Sequence, residues 1–239
     1  MQKFLVYLKL SLVFMMYLIS NCSNAQTDQS WDARPQSIGA DGYPDLWWAP
    51  VEDPSAPSWE ILPQTANRAA KEVILSKRNE LGVFSNLSAS PFELDGVKYA
   101  SLEALWQSLK YPEGPDDERL KDKTIIWPYT RDQVRMLTSF ESKDAGNAAN
   151  ANMKKLGIAW VTYQNKKMLY KTTDQMAHYA LICRATMAKF EQNKIVSNLL
   201  AKTKGLKLLP DHKEDTSAPA YKYFDIWMRI RDQGQCKNI

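Results

Sequence analysis

The sequence predicts a helix-dominated α+β fold, a single domain with short hairpins. Three observations lead there. Apolar residues recur at i, i+3, i+4 and i+7 in several segments, two short alternating segments read as hairpins, and strands and helices do not alternate in the βαβ manner. With 239 residues, 44% hydrophobic and 24% charged, the chain can bury one substantial core, and disorder of the whole is excluded.

In chain order, residues 1–25 stand apart. Lys3 and Lys9 give a positive start, Leu10 to Ile19 is a mostly apolar run, and Ser23-Asn24-Ala25 supplies small residues. This predicts a signal peptide cut after Ala25 and an exported protein, periplasmic or secreted. A membrane anchor is the competing reading, but Lys9 leaves about ten clean apolar residues where roughly twenty are needed. A lipoprotein start at Cys22 is a lesser alternative, because Asn21 stands where a small residue is wanted.

Residues 26–72 form a proline- and tryptophan-rich extension expected to pack on the core domain of residues 73–239. Six prolines between Trp31 and Pro63 argue against regular structure there. Trp31, Trp47, Trp48 and Trp59 would be costly to leave in water, so an ordered strap is expected. Packing alone would account for it; the sharper expectation is that Trp47 or Trp48 lines a ligand cleft.

After an apolar piece at Val73-Ile74-Leu75, the segment from Phe92 to Tyr99 alternates apolar and polar residues around Asp95-Gly96, a two-residue hairpin turn. Ser101 is then placed to cap a helix whose Leu102, Leu105, Trp106 and Leu109 share one face and which ends before Pro112. On the opposite side Glu103, Gln107 and Lys110 form one polar row. Thr130 can cap a short helix through Phe140, and Ser142 can open another that stops at Gly157. Residues 158–163 and 168–170 read as a hairpin around Asn165. A long helix is expected from about Asp174 to Gln192, its pattern extended by Ile195, Val196, Leu199 and Leu200. A strand at Lys207 to Leu209, a polar loop over 210–220 and a last amphipathic helix through Tyr223, Ile226, Trp227 and Ile230 complete the chain.

Several chemistries are disfavoured. Loss of Lys3 and Lys9 with the leader lowers 31 basic residues to 29, against 27 acidic ones. That is no strong nucleic-acid footprint, although a local pocket can still take anions. With only His178 and His212, and no cysteine pair at ligand spacing, no metal site is expected. The glycines are spread thinly, so phosphate-binding and dinucleotide fingerprints are missing, and no cofactor is expected. Cys183 falls on an apolar helix face, where a cysteine is more often a small core residue than a nucleophile. An oxidising compartment could bridge Cys183 and Cys236, but their separation in space cannot be read from sequence, so both are taken as unpaired by default.

Carboxylates remain. Glu103 in the first turn of its helix complements the helix dipole whatever its function. Asp211-His212-Lys213-Glu214-Asp215 needs no explanation beyond a solvated turn.

The order of motifs adds more. Glu80-Leu81-Gly82-Val83-Phe84-Ser85-Asn86-Leu87, then Pro91-Phe92, Asp95-Gly96 and the run from Tyr99 to Lys110, resembles the opening block of the NADAR (NAD- and ADP-ribose-associated) superfamily, or YbiA-like proteins. Met187 to Asn193, Leu199-Leu200 and Thr203 resemble a second block, so the resemblance spans roughly residues 73 to 232. It implies a YbiA-like N-glycosidase fold that binds ADP-ribose-like or phosphoribosylated ligands and hydrolyses an N-glycosidic bond. The family's motif glutamate falls on Glu103, its glutamine and lysine on Gln107 and Lys110, and its phenylalanine-serine-asparagine turn on Phe84, Ser85 and Asn86. Trp106 belongs to the same ligand-binding set. The late acid falls on Asp211, with Asp215 as the alternative, and His212 joins Glu103 and Asp211 among the catalytic candidates.

The chain departs from the pattern at Ala104, where many members have histidine, and after Asp211, where tryptophan-glycine is absent. A catalytic tryptophan has only Trp160 as a counterpart. Chemically, a carboxylate can oppose the positive charge that grows on ribose as its C1′–N bond breaks. A helix N-terminus is expected to keep Glu103 ionised, and Lys110 is placed to meet phosphate. The expected partner is therefore a small ribosyl nucleotide or an ADP-ribosylated substrate. The alternative is a module that binds ADP-ribose or NAD without catalysis.

Overall fold

The chain divides into two units, Met1–Pro35 and Gln36–Ile239. A computed structural model describes residues 37–170, 177–213 and 218–236. The expected signal peptide with Cys22, as well as Asp215, lies outside the described residues.

Among the described residues six α-helices carry the domain: α1 (Leu102–Ser108), α2 (Arg131–Arg135), α3 (Ser139–Lys155), α4 (Ala177–Gln192), α5 (Lys194–Lys202) and α6 (Tyr223–Gln233). The described strands are six and short: β1 (Glu72–Ile74), β2 (Phe92–Leu94), β3 (Val97–Tyr99), β4 (Trp160–Tyr163), β5 (Lys166–Leu169) and β6 (Lys207–Leu209). The fold is α+β and helix-dominated.

The strands form three separate pairs. In the antiparallel pair β2–β3, Phe92 faces Tyr99, and the turn takes positive φ at Asp95 and Gly96 (51° and 78°). Such a turn matches the twist of its strands. The antiparallel pair β4–β5 turns through Gln164 and Asn165, again at positive φ (51° and 59°). The third pair, β1–β6, is parallel and sets Val73 against Leu208. Sequence reading left those two segments unconnected.

Two helical boundaries differ from expectation. The Thr130 capping box with Gln133 is present, but α2 stops at Arg135 and α3 already starts at Ser139. The pattern through Gln192 to Leu200 is broken at Asn193, whose backbone is extended (φ −121°, ψ 102°). Its side-chain amide donates to the carbonyls of Pro91 and Lys189 (3.0 and 2.8 Å). A local side-chain bond of this kind competes with the helix.

The core gathers Leu105, Ile182, Leu200, Leu208 and Trp227 from separate elements, and Trp47 from the N-terminal segment joins it fully buried. Among its described residues that segment holds short 3₁₀ turns, such as Asp45–Trp48 and Pro63–Thr65, and neither α-helix nor strand before β1. Trp47 donates its indole N–H to Glu80 Oε1 (2.7 Å) and Trp48 to the Glu72 carbonyl (2.8 Å). Both are packing residues.

Beyond α1, two buried arginines lock the chain. Arg119 donates to the carbonyls of Leu109 and Lys110 (3.1 and 2.9 Å), and Arg131 to those of Leu109 and Tyr111 (3.1 and 2.6 Å). Carbonyls left over at the helix end thereby find donors. Cys183 and Cys236, taken from sequence as unpaired, form a disulfide with Cα atoms 5.5 Å apart, joining α4 to the chain beyond α6. Fifty-three positions separate them in sequence, so only the tertiary fold could reveal the pairing.

Candidate functional site

Helix α1 supplies the floor of a cleft of about 430 Å³, within the range of small-molecule sites. Ser101 Oγ caps the helix by accepting from the Ala104 N–H (3.0 Å). Glu103, Gln107 and Lys110 fall on one side and line the cleft together with Trp106. The polar row does not face open solvent: Gln107 and Lys110 are buried at 7% and 4% exposure, because α1 packs against α2, α3 and α4. Gln107 Nε2 donates to Glu103 Oε1 (2.6 Å). Its Oε1 lies against Gly146 of α3, where a Cβ would stand 1.9 Å away.

Burial dominates the electrostatics of Glu103. It pushes the carboxyl above the usual range, offset in part by the Gln107 hydrogen bond and by Lys110, Lys143 and His212. The helix N-terminus therefore does not hold the carboxyl low, as the sequence had suggested: desolvation outweighs the helix end and moves it upward. A carboxylate of raised basicity is a better proton acceptor.

The second wall is the turn at Ser85 and Asn86, both lining the cleft. The Asn86 carbonyl accepts from the Glu103 N–H (2.8 Å), tying this turn to the start of α1. Beneath it, Lys189 of α4 donates to the Val83 and Ser85 carbonyls (2.6 and 3.0 Å) and to Ser88 Oγ (2.7 Å). Phe84, expected at the ligand, is instead fully buried. Its ring packs on Trp227 (5.1 Å between centroids), and its carbonyl accepts from the Trp227 indole (2.8 Å).

Opposite them, the loop after β6 brings Asp211 and His212. Asp211 is 1% exposed and lies behind the cleft lining, whereas His212 lines it. Asp211 Oδ1 pairs with His212 Nδ1 (2.7 Å), and its Oδ2 accepts from Lys77 Nζ. Burial pushes the Asp211 carboxyl up, but the bonds from His212 and Lys77 outweigh it and hold it below its ordinary value. An ionised Asp211 makes Nδ1 the protonated donor and fixes the tautomer of the ring. Tyr223 stacks on the imidazole (6.4 Å, 14° between planes), and Trp59 meets it edge-on (6.2 Å, 87°).

The cleft unites Glu103, Trp106, Gln107, Lys110, Ser85, Asn86 and His212 from the sequence-derived set. Phe84 and Asp211 stand behind it, and Asp215 lies outside the described residues. Trp160 does not line the cleft; its ring lies under Arg119 and Lys167 (4.9 and 4.3 Å). Sequence reading missed Trp59, Lys77, Lys143, Tyr221 and Tyr223, all of which line it. Only the tryptophan-rich stretch had hinted at a contribution, and it pointed to Trp47 or Trp48. His178 packs edge-on against Trp106 (4.7 Å), and its burial lowers it to about 4, so it is neutral near pH 7. Among the described residues, no three histidine, cysteine, aspartate or glutamate side chains gather as metal ligands would.

No family model matches this chain, and no curated protein matches it. Among solved structures it is similar to the NMR structure of the E. coli protein YbiA, at 22% identity over 69% of this chain and 84% of that one, with a TM-score of 0.42.

Proposed function

We propose that this protein hydrolyses the N-glycosidic bond of a ribosyl nucleotide or an ADP-ribose conjugate, in the manner of the NADAR superfamily that its motifs resemble. The observation that carries the reading is the convergence of Glu103 and the Asp211–His212 pair on one cleft. Lysines 77, 110, 143 and 213 border the same cleft and suit a phosphorylated ligand.

The reaction follows from these groups. As the ribose C1′–N bond breaks, its electron pair leaves with the base and positive charge grows on the sugar. The Glu103 carboxylate opposes that charge and takes a proton from the water that attacks C1′. His212, its Nδ1–H held by Asp211, gives a proton from Nε2 to the departing nitrogen when the ring is in its imidazolium form. Protonating the leaving group and activating the water are the complementary tasks of such a pair. The proton on Glu103 then passes to solvent and one from solvent restores His212.

Export remains part of the proposal. A disulfide between Cys183 and Cys236 suits an oxidising compartment. Among the described residues, no helix is long and apolar enough to cross a membrane.

The test is to incubate the mature protein with NAD, ADP-ribose conjugates, ADP-ribosylated DNA and riboflavin-pathway intermediates, and to separate the products by chromatography. A freed base and a ribosyl product are expected from one of them. Saturable binding without product would replace the hydrolase by a binding module; neither binding nor product would end both readings.

A further inference from the structure

We propose that Trp59 is a specificity-determining residue of this cleft, its indole stacking on a planar aromatic ring of the bound nucleotide while Lys77 and Lys143 meet the charge beside it. The proposal rests on the reading of the cleft as a nucleotide site and adds where the base lies.

Trp59 differs from the other described tryptophans of its segment. Trp47 and Trp48 give their indole N–H groups to protein acceptors and pack inward, whereas Trp59 is 44% exposed and lines the cleft. Its ring carries the ammonium groups of Lys77 and Lys143, each 5.9 Å from the centroid, and touches His212 at its edge. Both ammonium groups lie over the ring at the outer limit of a cation–π contact, so a base that stacks there takes their place and turns them toward its phosphates.

The backbone around Trp59 is held from both sides. Glu60 accepts two hydrogen bonds from the Arg78 guanidinium (2.8 and 2.7 Å), which also binds Asp53 (2.8 Å). Ile61 N–H donates to the Asp211 carbonyl (2.7 Å). An isolated exposed tryptophan needs no explanation. One clamped by two ion pairs and a backbone bond beside a candidate catalytic histidine, with two flexible lysine cations over its ring, is a preorganised platform. Such platforms select ligands that carry a planar base over those that lack one, while neighbouring cations take the phosphates. Phe140, 49% exposed, borders the same cleft, so the aromatic surface continues past Trp59.

The experiment measures binding of ADP and of ribose 5-phosphate to the full mature chain and to Trp59→Ala and Trp59→Phe. ADP carries a base and ribose 5-phosphate does not. Trp59→Ala is expected to weaken ADP by about tenfold or more and leave ribose 5-phosphate unchanged, with Trp59→Phe close to the wild type. Thermal midpoints should agree among the three, since the ring is outside the core. Equal weakening of both ligands, or no weakening of ADP, overturns the stacking role. If the wild type binds neither compound, the nucleotide reading of the cleft falls, and the stacking proposal with it.

Discussion

Gln107 occupies space that only a glycine at position 146 leaves open. A Cβ on Gly146 would stand 1.9 Å from Gln107 Oε1 and 2.8 Å from its Cγ. Two helices thus meet where one has no side chain, and the displaced bulk is the group that hydrogen-bonds Glu103.

Gly146→Ala is therefore expected to reduce turnover at least tenfold while changing stability little. Alanine gains about 1 kcal/mol over glycine within a helix, which offsets part of the crowding. The Gln107 amide must move, and with it the bond to Glu103. Single-turnover rates and urea unfolding on the same variant check this; unchanged turnover would mean that the Gln107–Glu103 bond is idle in catalysis.

Glu103→Gln is expected to lower turnover about a hundredfold, equivalent to about 2.7 kcal/mol of transition-state stabilisation, with ligand binding retained. It should also raise stability at neutral pH. Burial lifts the Glu103 carboxyl above its ordinary value of 4.5, so between 4.5 and the lifted value the folded state holds the extra proton. Stability from this group then falls as pH rises through that window. Thermal midpoints of wild type and variant should converge as pH is lowered to about 4.5 and separate at pH 7, the variant higher.

His178 has the opposite sign. It titrates near 6.5 when unfolded and is lowered to about 4 when buried, so below pH 6.5 the unfolded chain takes up a proton that the folded one refuses. By pH 4 the loss should reach about 3 kcal/mol. His178→Phe, which keeps an aromatic edge toward Trp106, should flatten the acid side of the stability profile between those pH values. A profile that stays as steep would assign the acid sensitivity to another group.

Reduction of the Cys183–Cys236 bridge frees a long loop of the unfolded chain. For a separation of 53 positions the loop-closure effect is about 4 kcal/mol. A fall in thermal midpoint on adding a thiol reductant, absent in a Cys183→Ala/Cys236→Ala double variant, is the expected signature.

Local chemistry announced much of this molecule. Asp95-Gly96 turned where a positive φ was needed, and Ser101 capped the helix that carries Glu103, Gln107 and Lys110. What stayed hidden depends on distant partners. Phe84 looks like a ligand residue until Trp227 closes over it, and Gly146 looks like any helical glycine until Gln107 arrives. Nothing in a proline-rich stretch distinguishes Trp59 from Trp47, because without a helical or strand period no face is defined. The pairing of β1 with β6 was equally unreadable, since three residues in each strand carry too little pattern to name a partner.

That last pairing governs when the site can exist. β6 leads directly to Asp211 and His212, and it is aligned by β1, to which Lys207 also reaches across 135 positions to bind Glu72. A chain growing from its N-terminus carries Glu103 long before it carries a strand that can set His212 opposite. Closing so large a loop is slow relative to forming the local hairpins and helices. While residues 103 to 212 are being made the protein is a scaffold with half a cleft, and chemistry requiring both halves must wait for the loop after β6.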